Sequence, residues 1–160
     1  MKKQKTLWLT VGAPGSGKST YIKTKIKNSD SVWCSRDNIR FSLLGPKDDY
    51  FAKEKLVWRT WISTIQDCID DPNSAEDIYV DATHLTQKAR TKVLNELDVK
   101  NVNINCIYFN VPLNVCIERN AHRNGRAKVP ESVIENMYKS LEKPSFYEEY
   151  EYNEIITINN

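Results

Sequence analysis

No run of apolar residues in this 160-residue chain approaches the ~20 needed to cross a bilayer as a helix. No secretory h-region stands before the first apolar stretch, Thr6–Val11. Both absences point to a cytoplasmic protein with no membrane partner. Charge of one sign is also missing: the net charge is only +2, so a nucleic-acid partner has to be argued from a local patch. The four cysteines, Cys34, Cys68, Cys106 and Cys116, are widely spaced in apolar stretches, and no C-x-x-C pair occurs. That pattern fits buried free thiols in a reducing compartment better than disulfides. Internal repeats, low-complexity tracts and Pro/Gly/Ser-rich linkers are absent as well, so one domain over residues 1–160 is expected. What the chain does have is 40% apolar residues, with four Trp and eight Tyr, enough for a core and against wholesale disorder.

Apolar, β-rich runs alternate with helical patterns, which predicts an α/β fold: a parallel sheet with crossover helices. The expected strands are 6–11, 31–34, 78–81, 102–109 and 154–158. The expected helices are 17–27, a short one after Arg36, then 50–69, 87–97, 113–123 and 131–141. In the long helix Phe51, Lys55, Trp58, Ile62, Ile65 and Ile69 fall mostly at three- and four-residue steps, predicting one apolar face. Asp71-Pro72-Asn73 reads as its stop, and Thr86 as the N-cap of the helix after it. In such a sheet ligands bind outside the C-terminal ends of the strands, so the residues just after each strand carry the argument.

After the first strand comes Gly12-Ala13-Pro14-Gly15-Ser16-Gly17-Lys18-Ser19, which fits G-x-x-x-x-G-K-[ST] with a strand before and a helix after. Glycines let the backbone curl so that successive N–H groups point inward at a phosphate, and the helix start adds its positive dipole end. Residues 12–19 with Thr20 are therefore expected to hold a nucleoside triphosphate. Lys18 is expected on its β- and γ-phosphates and Ser19 on Mg²⁺. A turn that binds nothing is the plain alternative, and the complete pattern in its proper setting argues against it.

Three further segments sit at such positions. Ser35-Arg36-Asp37-Asn38-Ile39-Arg40 puts a carboxylate just past the second strand, where it can take the proton of an attacking hydroxyl. Arg40, one turn on, would face the same cleft and could bind an anionic acceptor. The plainer reading is a capping Asp with solvated arginines. Val80-Asp81-Ala82-Thr83-His84 repeats the strand-then-Asp arrangement, with Asp81 suited to Mg²⁺ and Thr83 to the acceptor or a phosphate, against a capping role for Asp81. His84, alone and without a partner at metal-ligand spacing, is left unassigned. Residues 119–130 gather Arg119, Arg123, Arg126 and Lys128 around the Asn124-Gly125 turn signal, with Pro130 opening the next helix. This reads as a lid whose arginines clamp phosphates, where a merely solvated charge run is the alternative.

Taken together these segments resemble the kinase domain of the phage-type polynucleotide kinase family, a 5′-hydroxyl kinase on the P-loop kinase scaffold. The resemblance rests on the P-loop, on Arg36-Asp37-Asn38-Ile39-Arg40, on Asp81-Ala82-Thr83-His84-Leu85, on Arg119-Asn120, Arg123 and Val129-Pro130, and on Met137-Tyr138-Lys139-Ser140-Leu141. It runs from about Lys5 to Leu141. It implies a three-layer fold with a five-stranded parallel sheet of order 2-3-1-4-5. It also implies transfer of the γ-phosphate of ATP, with Mg²⁺, to the 5′-hydroxyl of a DNA or RNA end. Within that activity Asp37 becomes the general base, Arg40 a ligand of an acceptor-strand phosphate, and Arg123 the lid ligand of the ATP phosphates. The lid here is one residue longer than the family pattern, so Arg123 and Arg126 compete for that role. The 81–83 segment aligns in two ways, leaving Asp81 or Thr83 on the acceptor side. The phage enzymes' Asp-x-Asp-Gly-Thr phosphatase motif is absent, so no 3′-phosphatase activity is expected.

Two other readings stand beside this one: a P-loop kinase for a small molecule such as a nucleoside, sugar acid or antibiotic, and a nucleotide-dependent binding or toxin-like protein. The acceptor side separates them, since a strand end needs an open basic cleft with an aromatic and a small acceptor needs a closed pocket. Lys47, Lys53, Lys55 and Arg59 with Tyr50 and Phe51 either form that cleft or are the exposed face of a helix.

Overall fold

The structure, a computed structural model, describes residues 4–27 and 30–159. Five strands form one parallel sheet: β1 (Thr6–Val11), β2 (Ser31–Ser35), β3 (Asp77–Asp81), β4 (Asn103–Asn110) and β5 (Glu154–Asn159). Their spatial order is β2-β3-β1-β4-β5, as expected. Thr6 pairs with both Asp77 and Asn103, so β1 lies at the centre of the sheet and delivers its C-terminal end to the middle of the crevice. Ser35 pairs with Asp81, which brings the ends of β2 and β3 level.

Strand side chains alternate between two buried layers. Leu7, Leu9, Ile78, Val80, Ile104 and Cys106 pack against α3 (Glu54–Asp70) and α4 (Gln87–Asn95) through Trp61, Ile65, Val93 and Leu94. Tyr79, Ile107 and Phe109 face the other way, against Ile22 of α1 (Lys18–Ile26), Cys116 of α5 (Leu113–Ala121) and Ile134 of α6 (Glu131–Ser140). The result is three layers, helices on each face of the sheet. Thr86 caps α4 as expected, its Oγ1 accepting from the Ala89 N–H at 3.0 Å. The chain beyond α6 is tied down by the buried Arg90, whose guanidinium makes two bonds to Glu148 at 2.8 and 3.0 Å. All four cysteines are free thiols, and Cys34, Cys106 and Cys116 are buried. Among the described residues no helix is long and apolar enough to cross a membrane.

Three expectations need correction. The long helix starts at Glu54, not at 50, because Tyr50 and Phe51 belong to a turn closed by Ala52 N–H to Asp49 carbonyl at 3.0 Å. Its buried stripe is accordingly Val57, Trp61 and Ile65, while Phe51 is 66% exposed and Lys55 is exposed. The helix expected over 113–123 stops at Ala121, and Pro130 precedes the first residue of α6. Finally, Ser35 and not Asp37 caps α2 (Arg36–Leu43): the Ser35 hydroxyl accepts from the Asn38 N–H at 3.1 Å. Asp37 is thereby free of the capping role.

Candidate active site

Residues 12–16 are buried in a loop that passes from β1 into α1. Gly15 takes φ 84° and Gly17 φ 97°, the left-handed region in which a Cβ is strained. A Cβ on Gly15 would also lie 2.4 Å from the Cys116 carbonyl oxygen, so glycine there lets α5 close onto the loop. Gly17 supplies no side-chain cap to α1, which leaves its first-turn amides to an outside anion. The Ser16 hydroxyl is buried inside the loop with no partner, another donor in want of an acceptor. These features fit the polyphosphate that the sequence pattern implies.

Lys18 lies across the loop, its ammonium donating to the Gly12 and Ala13 carbonyls at 3.0 and 2.9 Å. Burial brings its pKa down to about 8, against the attraction of Asp81, and the nearby charge of Arg123 lowers it further. A triphosphate favours the ammonium form. The sign follows: affinity for ATP should be full below pH 8 and weaken as the pH rises through it, by up to about tenfold per unit. Calorimetric titration with ATP between pH 7 and 9.5, in buffers of different ionisation enthalpy, should show proton uptake on the alkaline side. A flat affinity across that range would contradict the assignment of Lys18 to the phosphates.

Asp81 is buried at the end of β3, and its Oδ2 accepts from the Ser19 hydroxyl at 3.2 Å and from the Trp33 indole N–H at 3.0 Å. An all-oxygen pair of hydroxyl and carboxylate suits a hard cation such as Mg²⁺, so these residues fit the ion that the P-loop implies. Trp33 was not foreseen, although it stands two residues before Ser35 on β2 and so on the same face of the strand. Thr83 reaches the loop through its backbone, its carbonyl accepting from the Gly12 N–H at 3.0 Å. The buried His84 takes φ 43° and donates from Nδ1 to the Thr10 carbonyl at 2.7 Å. Burial holds its pKa down at about 4, so the ring is a neutral structural element of the β3 turn.

Asp37 opens toward solvent, its side chain 55% exposed, while the Arg40 side chain beneath it is 4% exposed. The Asp37 Oδ1 accepts from Arg40 and, at 2.6 Å, from the Tyr50 hydroxyl. Among the described residues Oδ2 of Asp37 has no hydrogen-bond partner. The second terminal nitrogen of Arg40 forks onto both Glu54 oxygens at 2.7 and 2.8 Å, and Tyr50 lies 4.2 Å from the guanidinium. Burial pushes the Glu54 carboxyl up, but Arg40 and Arg36 more than reverse it, so it is ionised well into the acid range. Burial, then the bond to Asp37, raises the Tyr50 phenol, which stays protonated as a donor. Arg40, expected on an acceptor phosphate, is thus turned inward in this structure, with only Nε unpartnered. Sequence spacing did not reveal that Tyr50, expected in the acceptor cleft, and Glu54 bond to Arg40, from which Glu54 stands fourteen residues away.

The lid arginines separate. Arg126 donates to the Gly45 and Asp48 carbonyls at 2.5 and 3.0 Å, tying the lid to the loop between α2 and α3. Arg123 makes one long bond to the Ala127 carbonyl, 3.4 Å, and its charge is felt at Lys18. Arg119 lies against the P-loop, 3.5 Å from the Gly15 carbonyl. A cleft of about 490 Å³ runs between α3 and α4, lined by Arg36, Glu54, Lys55, Trp58, Arg59 and Lys92. Of the residues expected in an acceptor cleft, Lys55 and Arg59 line it. Lys53 instead donates to the Leu43 carbonyl at 2.7 Å.

A parallel 2-3-1-4-5 sheet, a phosphate loop after β1 and a carboxylate after β2 define a P-loop kinase fold. The chain belongs to the family described as an AAA domain, whose model matches residues 7–144. It is similar to the L-seryl-tRNA(Sec) kinase of Methanococcus maripaludis, 29% identical over 143 residues, covering 86% of this chain and 53% of that protein. The chain therefore spans about half the length of this curated relative. Among solved structures, a chain of the Pnkp1/Rnl/Hen1 RNA repair complex superposes with a TM-score of 0.73 at 23% identity, over 88% of this chain and 45% of that one. A fungal RNA kinase gives 0.71 at 13%, over 98% and 75%. A sugar kinase from Janibacter gives 0.62 at 18%, over 98% and 85%. At such identities these likenesses speak for the fold, which RNA kinases and small-molecule kinases share.

Proposed function

We propose that this chain, as one domain over residues 1–160 with a lid at about 119–130, transfers the γ-phosphate of ATP to the 5′-hydroxyl of a DNA or RNA end in the cytoplasm. The observation that carries the reading is Asp37: one oxygen is tied by Tyr50 and Arg40, and the other has no partner among the described residues, on a side chain that is 55% exposed. In this reading Asp37 Oδ2 accepts the proton of the attacking hydroxyl, and Arg40 and Tyr50 hold the carboxylate in place through Oδ1. An acceptor phosphate would reach Arg40 by exchanging for part of its pairing with Glu54, and Thr83 stands at the next strand end on that side. Residues 12–20 cradle the triphosphate while Lys18 and Arg123 neutralise its outer oxygens, with Arg126 bracing the lid. Ser19 and Asp81 would hold Mg²⁺, which supplies charge neutralisation on the phosphates when bound.

An open cleft admits a chain of any length, whereas a small acceptor calls for enclosure. The four free thiols are in keeping with a cytoplasmic setting. A panel of acceptors with labelled ATP tests the reading: 5′-OH oligonucleotides, nucleosides, nucleoside 3′-monophosphates, sugars and sugar acids. Oligonucleotides and 3′-monophosphates should be phosphorylated far better than bare nucleosides. Arg40→Ala should erase most of that preference, roughly 10–150-fold, because a charge-assisted bond in a partly buried site contributes about 1.5–3 kcal/mol. Equal use of nucleoside and 3′-mononucleotide, or preference for a sugar, would favour the small-molecule kinase.

A further inference from the structure

The far end of the α3–α4 cleft takes no part in the chemistry described above. Four cations line the cleft, Arg36, Lys55, Arg59 and Lys92, against a single carboxylate, Glu54. That carboxylate is already consumed by Arg40 and Arg36. Lys55 and Arg59 are exposed and stand four residues apart on α3, so they share one helix face. Lys92 approaches from α4 and lies 4.7 Å from the centre of the Trp58 ring, with the Arg36 guanidinium 5.1 Å from the same ring. Among the described residues, Lys55, Arg59 and Lys92 have no carboxylate partner. Unpaired cations gathered around an aromatic from two separate helices are not an ordinary solvated face, which would spread its charges and pair them. They suit a ligand that is a repeating anion with apolar, planar groups between the charges.

The cleft also has a direction. It begins at Arg36 and Glu54, and Glu54 joins through Arg40 to Asp37. Glu54 thus belongs both to the cleft wall and to the network that holds Asp37, so an extended ligand in the cleft can reach the reacting hydroxyl. We propose that the α3–α4 cleft is the track of a single-stranded acceptor, in which Lys55, Arg59 and Lys92 hold phosphodiesters downstream of the terminal nucleotide over an apolar floor formed by Trp58. The inference rests on the polynucleotide-kinase reading and deepens it: the acceptor is a strand several nucleotides long, held along its backbone and not by its sequence.

The test compares wild type with the Arg59→Ala/Lys92→Ala double variant on a nucleoside 3′-monophosphate and on a 5′-OH oligonucleotide of about ten nucleotides. Binding of the same oligonucleotide is measured in parallel by fluorescence anisotropy over a range of salt. The double variant should lose about tenfold in kcat/KM on the oligonucleotide, through KM, and keep its activity on the mononucleotide. The slope of log affinity against log salt should become shallower by about 1.4, since each neutralised phosphate of a single strand contributes about 0.7. Should loss of Lys92 disturb the packing on Trp58, Lys55→Gln/Arg59→Gln, both exposed, gives the same comparison without that contact. Equal losses on both acceptors, or an unchanged oligonucleotide affinity and salt slope, would overturn the proposal while leaving the kinase reading in place. Salt-sensitive binding that the variants weaken, with no transfer to any 5′-hydroxyl, would instead overturn the kinase reading and leave the cleft as a nucleic-acid track.

Discussion

Asp37→Asn is expected to lower the single-turnover rate of phosphoryl transfer by about 10²–10⁴-fold and to leave ATP affinity within a few-fold of wild type. The substitution keeps Oδ1, the oxygen that Tyr50 and Arg40 hold, so the side chain can stay where it is. What changes is the free side, where a proton acceptor becomes an NH₂ donor facing the incoming hydroxyl. Asp37 is at the first turn of α2, its side chain is mostly in solvent, and its charge is the smallest of the influences on Lys18. The fold should therefore tolerate the change, and the remaining charge of Arg40 stays matched by Glu54. Rapid-quench measurement of one turnover, with a separate nucleotide titration, separates the two effects. If nucleotide binding collapsed while the single-turnover rate survived, Asp37 would be a structural residue of α2 and not the base.

Lys18→Ala should abolish measurable transfer and still give a folded protein. Removal of one preorganised donor to developing charge costs about 10²–10³ in rate, and a full cation on the transferring phosphoryl group contributes at least that. Lys18 is half-buried and, among the described residues, its ammonium bonds only to loop carbonyls, so its removal opens no cavity in the core. Circular dichroism and thermal melting should match wild type while labelled transfer falls to background. Wild-type turnover by the variant at saturating ATP would show that the loop is not the triphosphate site.

Much of this arrangement is legible in the amino-acid sequence because it is encoded locally. The P-loop pattern is contiguous, and its fixed Gly17 takes a positive φ, as does Gly15 at a position the pattern leaves open. The strands read as short apolar runs, so the expected bounds of all five lie within a residue of those observed, and their order followed from the resemblance. The carboxylates at 37 and 81 stood out for the same reason, Asp81 ending β3 and Asp37 two residues past β2.

What stayed hidden depends on side chains that meet across the fold. Nothing in the spacing links Arg40 to Glu54 or Tyr50, yet these contacts decide which way Arg40 points. The three- and four-residue steps through Phe51 and Lys55 matched a helical face, but the turn at 49–54 puts Phe51 outside the helix and shifts the buried stripe to Val57, Trp61 and Ile65. The lid offered two interchangeable arginines. The structure distinguishes them through the Gly45 and Asp48 carbonyls that hold Arg126, some eighty residues away in the chain, and through the charge of Arg123 felt at Lys18. Lys92 joined the cleft for a similar reason, since α3 and α4 are adjacent only in space.

The central claim is that the phosphate goes to the 5′ end of a nucleic acid with Asp37 as base, and end-group analysis of the product tests it most directly. The protein is incubated with γ-labelled ATP, Mg²⁺ and a 5′-OH oligonucleotide, and the product is digested to nucleoside 5′-monophosphates. The account predicts that all transferred label is found in the 5′-terminal nucleotide, and that Asp37→Asn removes it. Label released only as inorganic phosphate, or transferred to a small hydroxyl compound in preference to the oligonucleotide, would contradict it.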